Sequence, residues 1–300
     1  MRARLGAADV ADARRDRVRH AARAPRGALD RAFGADPADR RHDDPRRYAR
    51  IRVWGSVAFL VATLGAGEAL HAWGIGVVWW TIVLGFCATA LAGLALRGAD
   101  HDPPDDTLRG RAATSIRSLL ALPGLVSMLV ANGLIQGSHA TYYSFSSVHW
   151  RAFGLSEREI GLLWAEGVFA EILLFWFGRR FAERLGARRL FLLGAVTSVL
   201  RWAVLGSTTD FSTLAAFNAL HAFSFGATHL ATMGWIQANV PRVAAATAQG
   251  MLSAWSAGLG FVIATSLATW LYPSFGAGPA FTAMIALAAL GAGASLRLKR

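Results

Sequence analysis

Between Arg50 and the C-terminus the sequence carries eight separate apolar stretches, each long enough to cross a lipid bilayer. Crossing roughly 30 Å of hydrocarbon takes about 20 residues of α-helix, because the helix rises about 1.5 Å per residue and a backbone in lipid must satisfy its own hydrogen bonds. The stretches fall at about 52–72, 75–96, 123–147, 159–178, 189–208, 212–238, 247–271 and 276–296, as expected of spans of this length. This pattern predicts an all-α fold: a polytopic membrane helix bundle of about eight transmembrane helices.

The loops between the stretches carry their charge unevenly. Arg46, Arg47, Arg50 and Arg52 precede the first stretch, and Arg97, Arg109, Arg111 and Arg117 lie between the second and third. If the chain crosses at every stretch, both groups share one side with Arg179, Arg180, Arg184, Arg188, Arg189, Arg242, Arg297, Lys299 and Arg300. Only Arg151 and Arg158 fall on the other side, a ratio of seventeen to two. Lysine and arginine accumulate in cytoplasmic loops, so both termini are expected in the cytoplasm of a bacterial inner (plasma) membrane protein.

That placement also explains the net charge of +12. The basic residues flank membrane segments and form no patch interleaved with aromatic side chains, so no nucleic-acid partner is expected; the lipid bilayer is the partner. The single cysteine, Cys87, lies inside the second stretch, which leaves no intrachain disulfide and no thiolate metal cluster. Thirty of the 31 basic residues are arginine, a bias typical of a GC-rich bacterial gene.

Residues 1–45 hold 11 Arg and eight Asp, with Phe33 the only Phe, Tyr or Trp, and contain no apolar signal-peptide core. Too little apolar area is present to fold alone, so this segment reads as a basic, disordered cytoplasmic extension. Its composition also resembles GC-rich DNA read out of frame. Residues 46–98 form a transmembrane hairpin, 99–122 a cytoplasmic linker with the turn signal Pro103–Pro104 among acids, and 123–300 a six-helix unit.

Three passages carry a family resemblance. They are Arg50-Ile-Arg-Val-Trp-Gly-Ser56; Gly161-Leu-Leu-Trp-Ala-Glu-Gly-Val-Phe-Ala-Glu171 followed by Phe181-Ala-Glu-Arg-Leu-Gly-Ala-Arg-Arg189; and Leu220-His-Ala-Phe-Ser-Phe-Gly-Ala-Thr-His229. Together they resemble the 3-phenylpropionate permease-like branch of the major facilitator superfamily, over about 250 residues. Glu183, Arg184, Gly186, Arg188 and Arg189 match the superfamily's cytoplasmic signature loop. Arg179 stands where its first glycine is expected, with Gly178 one position early, and Glu183 replaces the usual aspartate.

The resemblance covers helices five to twelve of a twelve-helix family. It implies a complete C-terminal half (residues 123–300) preceded by the last two helices of the N-terminal half, with the first four helices unmatched. It further implies a secondary active transporter, a proton symporter or permease, for a small organic anion such as an aromatic acid. The alternative expectation is a non-transporting membrane scaffold or remnant of such a transporter. Oligomeric state stays open.

Polar groups at membrane depth are the candidates for substrate or proton coupling, because they are costly unless they face the bundle interior or a wet cavity. At 100° per residue, Asn132, Gln136, His139 and Tyr143 form one stripe on the third helix, and Asn218, His221, Thr228, His229 and Thr232 another on the sixth. Such stripes serve either as cavity lining or as interhelical glue. On the fourth helix Glu166 and Glu171 point to different faces. Glu171 falls where the resembled family has its acid and is favoured over Glu166. Arg201 is the one basic residue deep within a stretch and is expected to pair with Glu171. Glu68 sits near a helix end, where its carboxylate reaches the interface. His221 and His229 are too far apart for an i, i+4 metal pair, and no nucleophile–base–acid set emerges, so neither metal, cofactor nor enzymatic activity is expected.

Overall fold

The computed structural model describes residues 45–95 and 116–298. The extension as far as residue 44, the linker up to 115 and residues 299–300 lie outside the described residues. The described chain is helical nearly throughout, and its elements occur as eight rods.

The first rod is α1 (Pro45–Trp73) and the second α2 (Val77–Ala95). Pro45 opens α1, where its missing N–H costs nothing because the first turn has no intrahelical acceptor. A turn at Gly74, with φ 72°, joins the two helices. A short helix, α3 (Ile116–Leu120), leads into the third rod, α4 (Leu125–Gly137) and α5 (Ala140–Ala152). The fourth is α6 (Glu157–Phe177) and the fifth α7 (Arg179–Leu205). The sixth consists of α8 (Phe211–Asn218), a π-helical turn (Ala222–Ala227) and α9 (Thr228–Asn239). The seventh runs through α10 (Arg242–Leu252), a second π turn (Ser253–Leu259) and α11 (Gly260–Phe275), and the eighth is α12 (Ala277–Ser295).

Capping follows the sequence. Ser156 and Glu159 form a reciprocal capping box at the start of α6, with the Ser156 N–H donating to Glu159 Oε2 at 2.8 Å. Asp210 caps α8 by accepting from the Thr213 N–H and hydroxyl, both at 2.8 Å, which holds its carboxyl below the usual carboxylate range.

Gly186 interrupts α7 with φ 71° and ψ 166°. A Cβ there would meet nothing within 4 Å, so glycine is required for the backbone conformation and not for space. The backbone therefore turns at Gly186, within the arginine-rich segment. Arg184 and Arg189 are exposed beside it, while Ala182, Leu185 and Ala187 pack inward.

Among the described residues four segments are long and apolar enough to cross a membrane as they stand: Val77–Leu94, Glu157–Phe177, Ala244–Phe275 and Ala277–Ser295. Val57–Leu70 is a shorter apolar helix. The stretches expected at about 123–147 and 212–238 are each broken in the middle, at Ser138–His139 and at the first π turn.

These breaks lie between two apolar cores. One core gathers Leu125, Met128, Ile135, Phe191, Ala195, Ala227, Ala231 and Trp235. The other gathers Ala140, Tyr142, Leu163, Trp202, Leu205, Leu214, Phe281 and Met284. Several rods leave one core and enter the other, and three of these crossings lie between Ile135 and Ala140, between Ala195 and Trp202, and between Leu214 and Ala227. The residues in those three gaps form the polar layer. The hairpin is attached differently, since α1 lies along α6 and α2 packs principally on α1.

Candidate polar site between the two cores

Arg201 occupies the centre of the layer and is wholly buried, at 0% exposure. Its Nη2 donates to Asn218 Oδ1 at 2.7 Å, and its Nη1 donates to Ser224 Oγ at 2.9 Å and faces His221 Nδ1 at 3.2 Å. Its guanidinium carbon lies 4.7 Å from the ring centroids of both Tyr142 and Trp202. Stacking against two π faces offsets part of the cost of holding a guanidinium out of water. Nε has no hydrogen-bond partner among the described residues.

The histidine tautomers follow from these contacts. Arginine only donates, so His221 Nδ1 accepts, and a neutral His221 carries its proton on Nε2. That Nε2 lies 3.7 Å from Glu171 Oε2, close enough for an ion pair and long for a direct hydrogen bond. His139 Nδ1 lies 3.1 Å from the Ile135 carbonyl, which can only accept, so the proton sits on Nδ1. His139 Nε2 is then the acceptor at 3.2 Å from Ser224 Oγ. Ser224 receives from Arg201 and donates to His139, and so links the two.

Local backbone geometry makes room for this network. His139 and Ser138 sit in the break between α4 and α5, where Ser138 Oγ donates to the Ile135 carbonyl and accepts from the Trp202 indole at 3.0 Å. Ser224 lies inside the π turn, whose wider winding follows directly after His221. Asn218 closes α8 and donates from Nδ2 to the Leu163 carbonyl of α6.

The sequence candidates are therefore only partly brought together. His139, Arg201, Asn218, His221 and Glu171 converge. Tyr143 joins them through its ring, stacked on His139 at 5.8 Å and facing His221 edge-on at 6.4 Å. Asn132 is instead tied to Thr232 of α9 at 2.8 Å, a helix-to-helix bond within the neighbouring core. Gln136 is half-buried on α4, and His229 packs against Phe175 and Phe225.

The expected direct pair of Glu171 with Arg201 is not found. Every described hydrogen bond of Arg201 goes to a neutral group, and Glu171 approaches through His221. The physical reason is distance across the bundle: Asn218, His221 and Ser224 lie between α6 and α7 and take up both terminal nitrogens. Glu166, set aside on sequence grounds, is half-buried and lies within electrostatic reach of Arg201 and Tyr142.

Tyr142, Trp202, Ser138 and Ser224 belong to the site and were not expected. Ser224 stood three residues after His221 and Trp202 beside Arg201, signals open to a helical reading. Tyr142 had none, because its position depends on the break at Ser138–His139.

The model of the MFS_1 like family matches residues 39–283. Over 252 residues the chain is 33% identical to the probable 3-phenylpropionic acid transporter of Escherichia coli (strain K12), covering 82% of this chain and 64% of that protein. It is 24% identical to the maltose permease of Geobacillus stearothermophilus, covering 77% of this chain and 57% of the permease. It is also 24% identical to an uncharacterized transporter of Bacillus subtilis (strain 168), over 71% and 52% of the two chains. The chain thus spans from about half to just under two thirds of the length of these relatives.

Proposed function

The chain belongs to the MFS_1 like family, and on that premise we propose that it serves the secondary active transport of a small organic anion, an aromatic acid, coupled to protons. The observation that carries this reading is the wholly buried Arg201, whose described hydrogen bonds all go to neutral groups. A cation held without a carboxylate in direct contact leaves positive potential in the middle of the bundle, where an incoming carboxylate is stabilised more strongly than in water. The 3-phenylpropionic acid named for one relative is an anion of this kind.

Coupling follows from the order of groups. Glu171 and His221 Nε2 face one another at 3.7 Å, and His221 Nδ1 faces Arg201. A proton arriving at His221 Nδ1 takes away the acceptor on which Arg201 leans and turns His221 into a cation beside Glu171. Arg201 then keeps Asn218 and Ser224, and a substrate carboxylate takes the place at Nη1 that His221 gives up. Loss of the proton restores the resting bonds and favours release. Residues 46–98 act as the hairpin of the N-terminal half and 123–300 as the C-terminal half, with both termini cytoplasmic in the inner membrane.

The test is uptake by the full chain reconstituted into liposomes. Labelled 3-phenylpropionate enters an alkaline lumen faster than it enters protein-free liposomes, which the undissociated acid crosses unaided, and the gradient-driven accumulation collapses with a protonophore. A scaffold would speed neither uptake nor exchange of preloaded substrate beyond the rates in protein-free liposomes, and that outcome rejects the proposal.

A further inference from the structure

The rings around Arg201 are closed off from the surface except at one point. Tyr142, Trp202, His139 and His221 are buried, whereas Tyr143 keeps 39% of its surface exposed. Five rings surround that of Tyr143: His139 stacked at 24° and 5.8 Å, Tyr142 tilted at 54° and 5.3 Å, Trp164 of α6 near-parallel at 15° and 6.0 Å, His221 edge-on at 86° and 6.4 Å, and Phe261 of α11 tilted at 54° and 6.3 Å. Trp164 is itself fixed, since its indole N–H donates at 2.9 Å to Ser147, one turn beyond Tyr143 on α5. A tyrosine ring held among five others and still 39% exposed is a rigid, π-rich surface, and a single ring, Tyr142 or His221, separates it from the buried guanidinium.

We propose that Tyr143, backed by Trp164, is the platform on which the aromatic ring of the bound acid stacks, and so the residue that selects aryl over saturated acids. The proposal rests on the anion-transport reading above and assigns to it a specificity-determining side chain. A phenyl ring on this surface gains the offset or edge-on contact that aromatic pairs prefer, and a cyclohexyl ring of similar size gains only area burial. The carboxylate, two methylenes from the ring in 3-phenylpropionate, is drawn toward Arg201. The phenolic hydroxyl has no part in this selection.

The experiment is equilibrium binding to the full chain in nanodiscs, with three probes: 3-phenylpropionate, 3-cyclohexylpropionate and the neutral 3-phenylpropionamide. The expected result is an affinity for the aryl acid about fivefold above that for the saturated acid, the size of an aromatic pair. Tyr143→Leu brings that ratio close to one, while Tyr143→Phe keeps it. A misfolded variant would lose both acids together, so the ratio reports on the ring alone. A ratio near one in the unaltered chain, or one that survives Tyr143→Leu or is lost in Tyr143→Phe, overturns the platform and leaves the anion reading standing. Amide binding as tight as that of the acid overturns the anion reading while the ring preference stands. Failure of every probe to saturate overturns both.

Discussion

From Ala131 to Tyr142 almost every residue of α4 and α5 is buried, whereas along Val77–Leu94 of α2 none is. Both regions belong to the same membrane protein, yet they keep their helices by different means. α2 is unbroken and apolar all round, so its own backbone hydrogen bonds and the surrounding lipid suffice. α4–α5 is broken at Ser138–His139, where the Ile135 carbonyl accepts from the Ser138 and His139 side chains, which are in turn tied to Trp202 of α7 and Ser224 of the first π turn. A helix interruption in a bilayer has to be tied to its neighbours, and here the ties are the residues of the site.

The largest expected effect falls at the centre of those ties. Arg201→Ala leaves Asn218, His221 and Ser224 without their donor, at about 1–3 kcal/mol for each buried group orphaned. Its unfolding midpoint in graded detergent should fall furthest of all the variants considered, and binding of 3-phenylpropionate should vanish. Arg201→Lys should recover only part, because an ammonium cannot reproduce the two-armed donation to Asn218 and Ser224.

A smaller loss is expected where the backbone itself is strained. Gly186→Ala forces a side chain into a conformation open essentially to glycine, costing about 1–3 kcal/mol, and the same detergent titration measures it. Smaller again is Trp255→Phe. The Trp255 indole donates to the Leu129 carbonyl at 2.9 Å and lies over Gly133, where a Cβ would collide with it. Removing this tie between the second π turn and α4 should cost about 1 kcal/mol. At the bottom of the series, Trp79→Ala and Trp80→Ala, both exposed on α2, should stay within about 0.5 kcal/mol. An effect there as large as that of Trp255→Phe would erase the contrast between hairpin and bundle.

The helical class was legible because hydrophobic length survives any detail of packing, and Gly186 was legible because few residues tolerate its backbone conformation. Arg201, His139 and His221 stood out by the cost of placing such groups in lipid. Their arrangement was not legible. Projecting Asn132, Gln136, His139 and Tyr143 onto one face assumes an unbroken 100° per residue, and the break at Ser138–His139 ends that register. Asn132 then serves α9, and Tyr142 turns inward beside Tyr143. The π turn likewise shifts Ser224 toward Arg201, an effect that depends on winding and not on composition. Glu171 was matched to Arg201 by charge alone, and His221 stands between them.

The most direct test of the buried-cation account is calorimetric titration of 3-phenylpropionate into the nanodisc-held chain and into Arg201→Gln, with circular dichroism to establish that the helices persist. Glutamine keeps hydrogen-bonding capacity toward Asn218 and Ser224 but removes the charge. The account predicts saturable binding to the unaltered chain and none to Arg201→Gln at equal helicity. Equal affinity in the two proteins would contradict it, because the anion would then be held by something other than the cation between the two cores.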